Sequence, residues 1–91
     1  MTKTFKVIII VDSSLPQQQT YINNQLLAIK KELSDLPIEV DNENSSIFKA
    51  HAKHRNRVPC YMIFKNNIFK TCRHNKMSDA EAITWIKQMT S

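Results

Sequence analysis

Glycine is absent from the 91-residue sequence, whereas asparagine occurs eight times. This absence excludes the glycine-rich loops that cradle nucleotide phosphates. Turns that need a left-handed backbone must then use asparagine, which is the next most tolerant residue. The adjacent pair Asn66 and Asn67 is therefore the first place where we expect such a turn.

Cysteine and long apolar runs are also scarce. The chain has two cysteines, Cys60 and Cys72, and no apolar run near the ~20 residues of a membrane-spanning helix. The apolar start ends at Asp12 without a small-residue cleavage pattern, which favours a strand over a signal peptide. Few cysteines and no export signal predict a reducing, cytoplasmic location. Abundant asparagine, lysine and isoleucine suggest an AT-rich genome, with a phage origin and location in the virion as an alternative.

We expect one domain over residues 1–91, because so short a chain cannot divide its core. Residues 5–11 are continuously apolar, as in a strand covered on both faces. Residues 16–36 carry apolar side chains at helical spacing, with Ser13 and Ser14 as candidate N-caps. The sequence thus begins with a buried strand followed by an amphipathic helix.

The rest of the chain predicts five more elements. Pro37 ends the first helix, and residues 38–40 indicate a second strand. A short helix is expected over residues 47–54, capped by Ser45 or Ser46. Residues 62–65 and 68–71 flank the Asn66-Asn67 pair, which is typical of a type I′ hairpin.

A last helix begins at Ser78, where Glu81 three residues on completes a capping box. The order is βαβαββα. The first βαβ unit requires parallel strands and a right-handed crossover, and the hairpin extends the same sheet. The fold class is therefore α/β, with a four-stranded mixed sheet and helices on both faces.

The segment that opens with Val58 and Pro59 resembles the corresponding segment of the thioredoxin superfamily. In thioredoxins a proline opens an apolar strand, Phe-Lys-Asn-Gly forms a turn, and a serine-started amphipathic helix follows. Here the matching residues are Pro59, Phe64-Lys65-Asn66-Asn67 and Ser78. The likeness is specific over about a third of the chain and rests elsewhere on element order. It implies a thioredoxin-like fold in which Pro59 is the cis-proline.

The dithiol motif of thioredoxins is missing at the end of the first strand, since no cysteine precedes position 60. Ser14 and Gln17 replace the two cysteines, or Pro16 and Gln19 do so in a shifted register. A serine hydroxyl cannot form a disulfide, so dithiol exchange is excluded there. The degenerate active-site loop comprises Ser13, Ser14, Leu15, Pro16 and Gln17.

These observations predict a redox-inactive module, not an enzyme, that binds a protein partner or acts as a scaffold without a cofactor. The resemblance implies that a partner segment is held beside the proline, by Val58, Pro59, Cys60 and Tyr61. One alternative is a monothiol oxidoreductase that uses Cys60. An unbulged hairpin would place Cys60 opposite Arg73 and Cys72 opposite Tyr61, so the two thiols should lie on opposite sides of the sheet.

Charge is segregated, because residues 44–78 contain eight lysines and arginines and no acidic residue. A positive surface of this kind attracts an acidic protein or a nucleic acid. No nucleic-acid recognition motif accompanies it, so a solvated basic face or an acidic protein partner is favoured, and nucleic-acid binding is the second alternative. The predicted basic face comprises Lys49, Lys53, Arg55, Arg57, Arg73 and Lys76.

Three histidines, His51, His54 and His74, accompany the two cysteines in the second half of the chain. Their spacing along the sequence does not match a zinc-binding motif. The sequence pattern therefore predicts no metal site.

Overall fold

A computed structural model describes residues 4–52 and 57–91. The predicted element order βαβαββα is confirmed. The elements are β1 (Phe5–Val11), α1 (Pro16–Glu32), β2 (Ile38–Asn42), α2 (Ser46–His51), β3 (Cys60–Lys65), β4 (Ile68–Arg73) and α3 (Asp79–Met89). Within the described ranges, none of the helices is both long enough and apolar enough to span a bilayer.

The four strands form one mixed sheet, as predicted, and their order is β2-β1-β3-β4. β1 pairs in parallel with β2 and antiparallel with β3, and β3 pairs antiparallel with β4. Because alternate side chains of a strand point to opposite faces, β1 supplies two core clusters. Val7, Ile9 and Val11 pack with α1 and α3, whereas Ile8 and Ile10 pack with Phe48 of α2. Helices therefore cover both faces of the sheet.

The hairpin turn follows the asparagine prediction. Asn66 and Asn67 have φ values of 53° and 65°, the left-handed values that a type I′ turn requires at both central positions. The backbone N–H of Asn66 also donates to the Thr4 carbonyl at 2.6 Å. At the start of α3, Ser78 and Glu81 form the predicted capping box.

Helix boundaries differ from the prediction. α1 ends at Glu32 instead of residue 36, since Leu33 leaves the helical conformation with φ −127° and ψ 58°. Leu33 and Leu36 still pack against the core, which explains why their spacing indicated a longer helix. α2 is capped by Ser45 and ends at His51, and Ala52 is extended. The rest of the predicted second helix, residues 53 and 54, lies outside the described residues.

The N-cap of α1 is Leu15, and no side chain within residues 4–52 and 57–91 caps this helix, so the prediction of Ser13 or Ser14 as the cap is wrong. The Ser14 hydroxyl donates to the Asp12 carboxylate at 2.6 Å, and the Ser13 hydroxyl donates to Glu43. Both hydroxyls turn towards neighbouring carboxylates because a charged acceptor gives the stronger hydrogen bond.

β4 contains a β-bulge that the sequence pattern did not indicate. Phe64 pairs with Phe69 but Ile63 pairs with Thr71, so Lys70 is the extra residue. Beyond the bulge the register moves by one residue, and Cys72 lies opposite Met62. A shift of one residue transfers a side chain to the other face of the sheet. Every β4 side chain after Lys70 therefore faces the side opposite to that predicted.

Candidate functional site

The peptide bond between Val58 and Pro59 is cis, as the resemblance implied. Pro59 lies against the start of α1 and contributes to a cavity of about 190 Å³. We call this cavity the prolyl groove; it is lined by Leu15, Gln17, Gln18, Tyr21, Pro59 and Lys76. The fold thus brings the degenerate loop and the proline together, although Gln17 and Pro59 are 42 positions apart in the sequence.

Gln18 connects the two walls of the prolyl groove. Its side-chain oxygen accepts the backbone N–H of Asp12 at 2.6 Å, and its amide nitrogen donates to the Val58 carbonyl at 3.5 Å. The first bond fixes the loop after β1, whereas the second is at the long limit of a hydrogen bond and is weak. Gln18 therefore fixes the position of the loop that forms one wall of the groove. Its weak hydrogen bond to the Val58 carbonyl can be replaced by a bond from another donor.

The apolar and cationic groups of the groove lie side by side. Leu15 is 45% exposed at the tip of α1. The Lys76 ammonium lies 4.1 Å from the centre of the Tyr21 ring, a cation–π contact. Both the Tyr21 hydroxyl and the Gln25 amide donate to the carbonyl of the buried residue Met77, at 2.6 and 2.7 Å. These bonds fix the loop that carries Lys76.

The loop serines lower the pKa of two carboxyl groups. The Ser14 hydroxyl, and after it the Ser14 backbone N–H, holds the pKa of Asp12 below its ordinary value. The Ser13 hydroxyl and backbone N–H do the same for Glu43. Hydrogen bonds to the ionised form favour that form. Near neutral pH, the position that holds thiols in thioredoxins is therefore a hydroxyl-bearing loop beside two carboxylates.

The side chains of Tyr61 and Cys60, both predicted to touch a partner, are fully buried and present no surface to one. The Tyr61 hydroxyl donates to the side-chain oxygen of Gln25, which is also buried. Burial raises the pKa of Tyr61 to about 12. Of the four residues predicted to touch a partner, Pro59 lines the prolyl groove, and Val58 presents its carbonyl to Gln18.

Cys60 and Cys72 lie on the same face of the sheet, so the prediction that they lie on opposite faces is wrong. The bulge at Lys70 pairs Cys72 with Met62, and both cysteines belong to the α2-side cluster. Burial, followed by the neighbouring Cys72 thiol, raises the pKa of Cys60 to about 12. His74 joins them: the ligand atoms of Cys60, Cys72 and His74 lie within 4.8 Å of one another.

The basic residues do not gather at one surface in the described part of the chain. Lys49 is exposed on α2, whereas Arg73 lies against α3 on the opposite side of the sheet. Arg57 is exposed just before Val58, and Lys76 lines the prolyl groove. Lys53 and Arg55 lie outside the described residues. Of the predicted basic face, Lys76 is thus the residue that joins the groove.

Wider depressions of about 480 and 570 Å³ lie at the other end of α1, around residues 32–39. They are larger than the prolyl groove but more open. They arise where the chain leaves α1 and turns into β2, far from Pro59. Volume alone does not indicate a ligand or a reaction, so the prolyl groove is the better candidate for a functional site.

Comparison with solved structures shows that the chain has a thioredoxin-like fold. It is similar to thioredoxin-2 of a malaria parasite, described as a component of protein secretion machinery, with a TM-score of 0.74 and 16% identity over 97% of this chain and 85% of that one. It is also similar to thioredoxin O2 from Arabidopsis thaliana in its oxidised state, with a TM-score of 0.69 and 11% identity over 97% and 76%. No protein-family model and no curated protein sequence matches the chain.

Sequence reasoning missed Gln18 and Tyr21. Gln18 is the third helical residue, where a glutamine side chain reaches back over the start of its helix, so its position was a usable signal. Tyr21 had no such signal, because its role depends on the loop around Met77, which is 56 positions away.

Proposed function

We propose that this protein is a redox-inactive, thioredoxin-fold module that binds an extended, acidic segment of a protein partner in the prolyl groove. The observation that carries the proposal is the groove itself: Pro59 lines it together with Leu15 and Gln17, and none of the described lining residues carries a thiol. The fold thus keeps the concave surface beside the proline and presents different side chains to it.

The chemistry of the loop supports a binding role over disulfide exchange. Disulfide exchange needs a thiolate attacking a sulfur, and residues 13–17 supply hydroxyl, amide and aliphatic groups instead. The rival monothiol activity of Cys60 has little support, since the thiol is buried and its pKa is about 12. A nucleophile has to be accessible and at least partly ionised.

The shape of the groove and the charge of the protein support this choice of occupant. Leu15 and Tyr21 offer an apolar surface, and the Lys76 ammonium stands over the Tyr21 ring. This combination of an apolar surface and an ammonium group matches a partner segment in which an apolar residue is followed or preceded by an acidic residue. The net charge of +5 favours an acidic segment during approach. A backbone N–H of that segment can replace Gln18 at the Val58 carbonyl, where the present bond is 3.5 Å long.

Nucleic-acid binding is the weaker alternative, because Lys49 and Arg73 lie on opposite sides of the sheet and form no continuous positive stripe. We extend the proposal to a cytoplasmic location or, for a chain of phage origin, to a role in the virion or in binding a host protein. This extension rests on amino-acid composition alone. Salt-dependent retention on DNA at low ionic strength would favour the nucleic-acid alternative.

The test is fluorescence anisotropy with a short labelled peptide that has one central leucine flanked by aspartates. We expect Leu15→Asp to weaken binding at least about tenfold, because it removes one apolar contact and adds a carboxylate that repels the aspartates of the peptide. The matched control is Leu27→Asp, since Leu27 is 69% exposed on the same helix and lies outside the groove. Equal binding by both variants, or equal binding of a peptide with asparagine in place of aspartate, would count against the proposal.

A further inference from the structure

The α2 side of the sheet carries a second cluster of chemically active groups. Cys60 is the first residue of β3, Cys72 lies in β4 and His74 follows that strand. We propose that Cys60, Cys72 and His74 form a Zn²⁺ site in which two thiolates and one imidazole are protein ligands and a fourth position is open. The site is distinct from the prolyl groove and does not depend on the groove's function.

The spacing of the three groups fits tetrahedral zinc. Zn–S bonds of about 2.3 Å and Zn–N bonds of about 2.0 Å place sulfur and nitrogen about 3.5 Å apart, and two sulfurs about 3.8 Å apart. The Cys72 sulfur is 3.5 Å from Nε2 of His74. All three ligand atoms lie within 4.8 Å of one another, so only small movements are needed to bind the ion.

The orientation of His74 is the second, independent observation. Its Nδ1 lies 3.1 Å from the carbonyl oxygen of Arg57. A carbonyl can only accept, so Nδ1 carries the proton and, in the neutral ring, Nε2 has the lone pair. Nε2 is the nitrogen that faces Cys72. Zinc-bound histidines usually donate their other N–H to a carbonyl or carboxylate, which fixes the ring.

The net charge of the proposed zinc site is compatible with its position beside apolar side chains. Binding releases one proton from each thiol to solvent, and two thiolates then neutralise the two charges of Zn²⁺. The neutral unit can sit beside the apolar side chains of this cluster, among them Ile10, Met62 and Phe64. Cys60 is buried, whereas Cys72 and His74 are half-buried, so the ion can approach from their side.

The experiment uses the full chain, reduced under anaerobic conditions, with two free thiols per chain confirmed beforehand. Zn²⁺ is titrated in competition with a chromogenic chelator, and Co²⁺ serves as the spectroscopic probe. We expect one ion per chain, a thiolate-to-cobalt charge-transfer band and the intense visible bands of four-coordinate cobalt. Zn²⁺ should also raise the melting temperature, since it binds the folded state.

Cys72→Ser and His74→Gln are the test variants, because neither position is fully buried. Each should lower Zn²⁺ affinity by more than the roughly 10–100-fold loss that follows removal of an outer hydrogen-bond partner. The matched control is His51→Gln, an exposed histidine of α2 whose ring stacks on Phe69 with centres 5.1 Å apart, and it should bind as wild type does. Wild type without one-to-one binding, or wild-type affinity in both test variants, would overturn the site.

Discussion

Gln18 joins Val58 to the opposite wall of the prolyl groove: its amide donates to the Val58 carbonyl while its oxygen accepts the Asp12 backbone N–H. One side chain thereby couples the loop after β1 to the segment before β3. Neither segment is a regular element, so this link contributes directly to the shape of the groove.

Replacing Gln18 with alanine should destabilise the protein by about 1 kcal/mol, because the half-buried Asp12 N–H loses its side-chain acceptor. Urea unfolding measures the change. The control is Gln17→Ala, which truncates the exposed neighbouring glutamine and should stay within about 0.5 kcal/mol of wild type. Equal losses in both variants would show that the bridge adds no stability.

Ser14→Ala should raise the pKa of Asp12 towards its ordinary value, because the Ser14 hydroxyl is the first cause of the lowered value. The depressed pKa favours the folded state when Asp12 is ionised, so this stabilisation is lost as pH falls through acid values. Carboxyl NMR titration reads the pKa directly.

Ser13→Ala serves as the reciprocal control for that titration. It should raise the pKa of Glu43 and leave Asp12 unchanged, since the Ser13 hydroxyl donates to Glu43. Parallel movement of both carboxyl groups in either variant would contradict the two separate bonds.

Gln25→Leu should destabilise the fold by about 1–3 kcal/mol, because it leaves the buried Tyr61 hydroxyl without its acceptor. Thermal or urea unfolding provides the measurement. Asn24→Leu is the control on the same helix at an exposed position and should change stability by at most about 0.5 kcal/mol. A Gln25→Leu protein as stable as this control would show that the buried hydrogen bonds of Gln25 do not contribute to stability.

Local rules predicted the parts of the fold that depend on neighbouring residues. The apolar run of β1, the asparagine turn and the Ser78 capping box each follow from a few adjacent side chains, and all three are present. The cis-proline came from the family resemblance.

The bulge at Lys70 was beyond sequence reasoning, because an extra residue in one strand leaves the apolar alternation readable in either register. That one residue decided the face of Cys72, and with it whether two thiols and a histidine meet. The burial of Tyr61 was missed for a related reason, since its partner Gln25 is a polar residue on a helix 36 positions away.

Alkylation of the native protein should modify Cys72 before Cys60, because Cys72 is half-buried and Cys60 is fully buried. Mass spectrometry of digested peptides after brief treatment with iodoacetamide, without added metal, gives the order. Labelling of Cys60 as fast as Cys72 would instead support the alternative that Cys60 is the nucleophile of a monothiol oxidoreductase. In the unfolded protein both thiols should react at similar rates.

The most direct measurement of the binding role is an amide NMR titration with the aspartate-flanked leucine peptide. We expect the chemical-shift changes to concentrate on Leu15, Gln17, Gln18, Tyr21 and Lys76, which line the prolyl groove. Absence of shifts at millimolar peptide, or shifts centred on residues 32–39 at the other end of α1, would contradict the account.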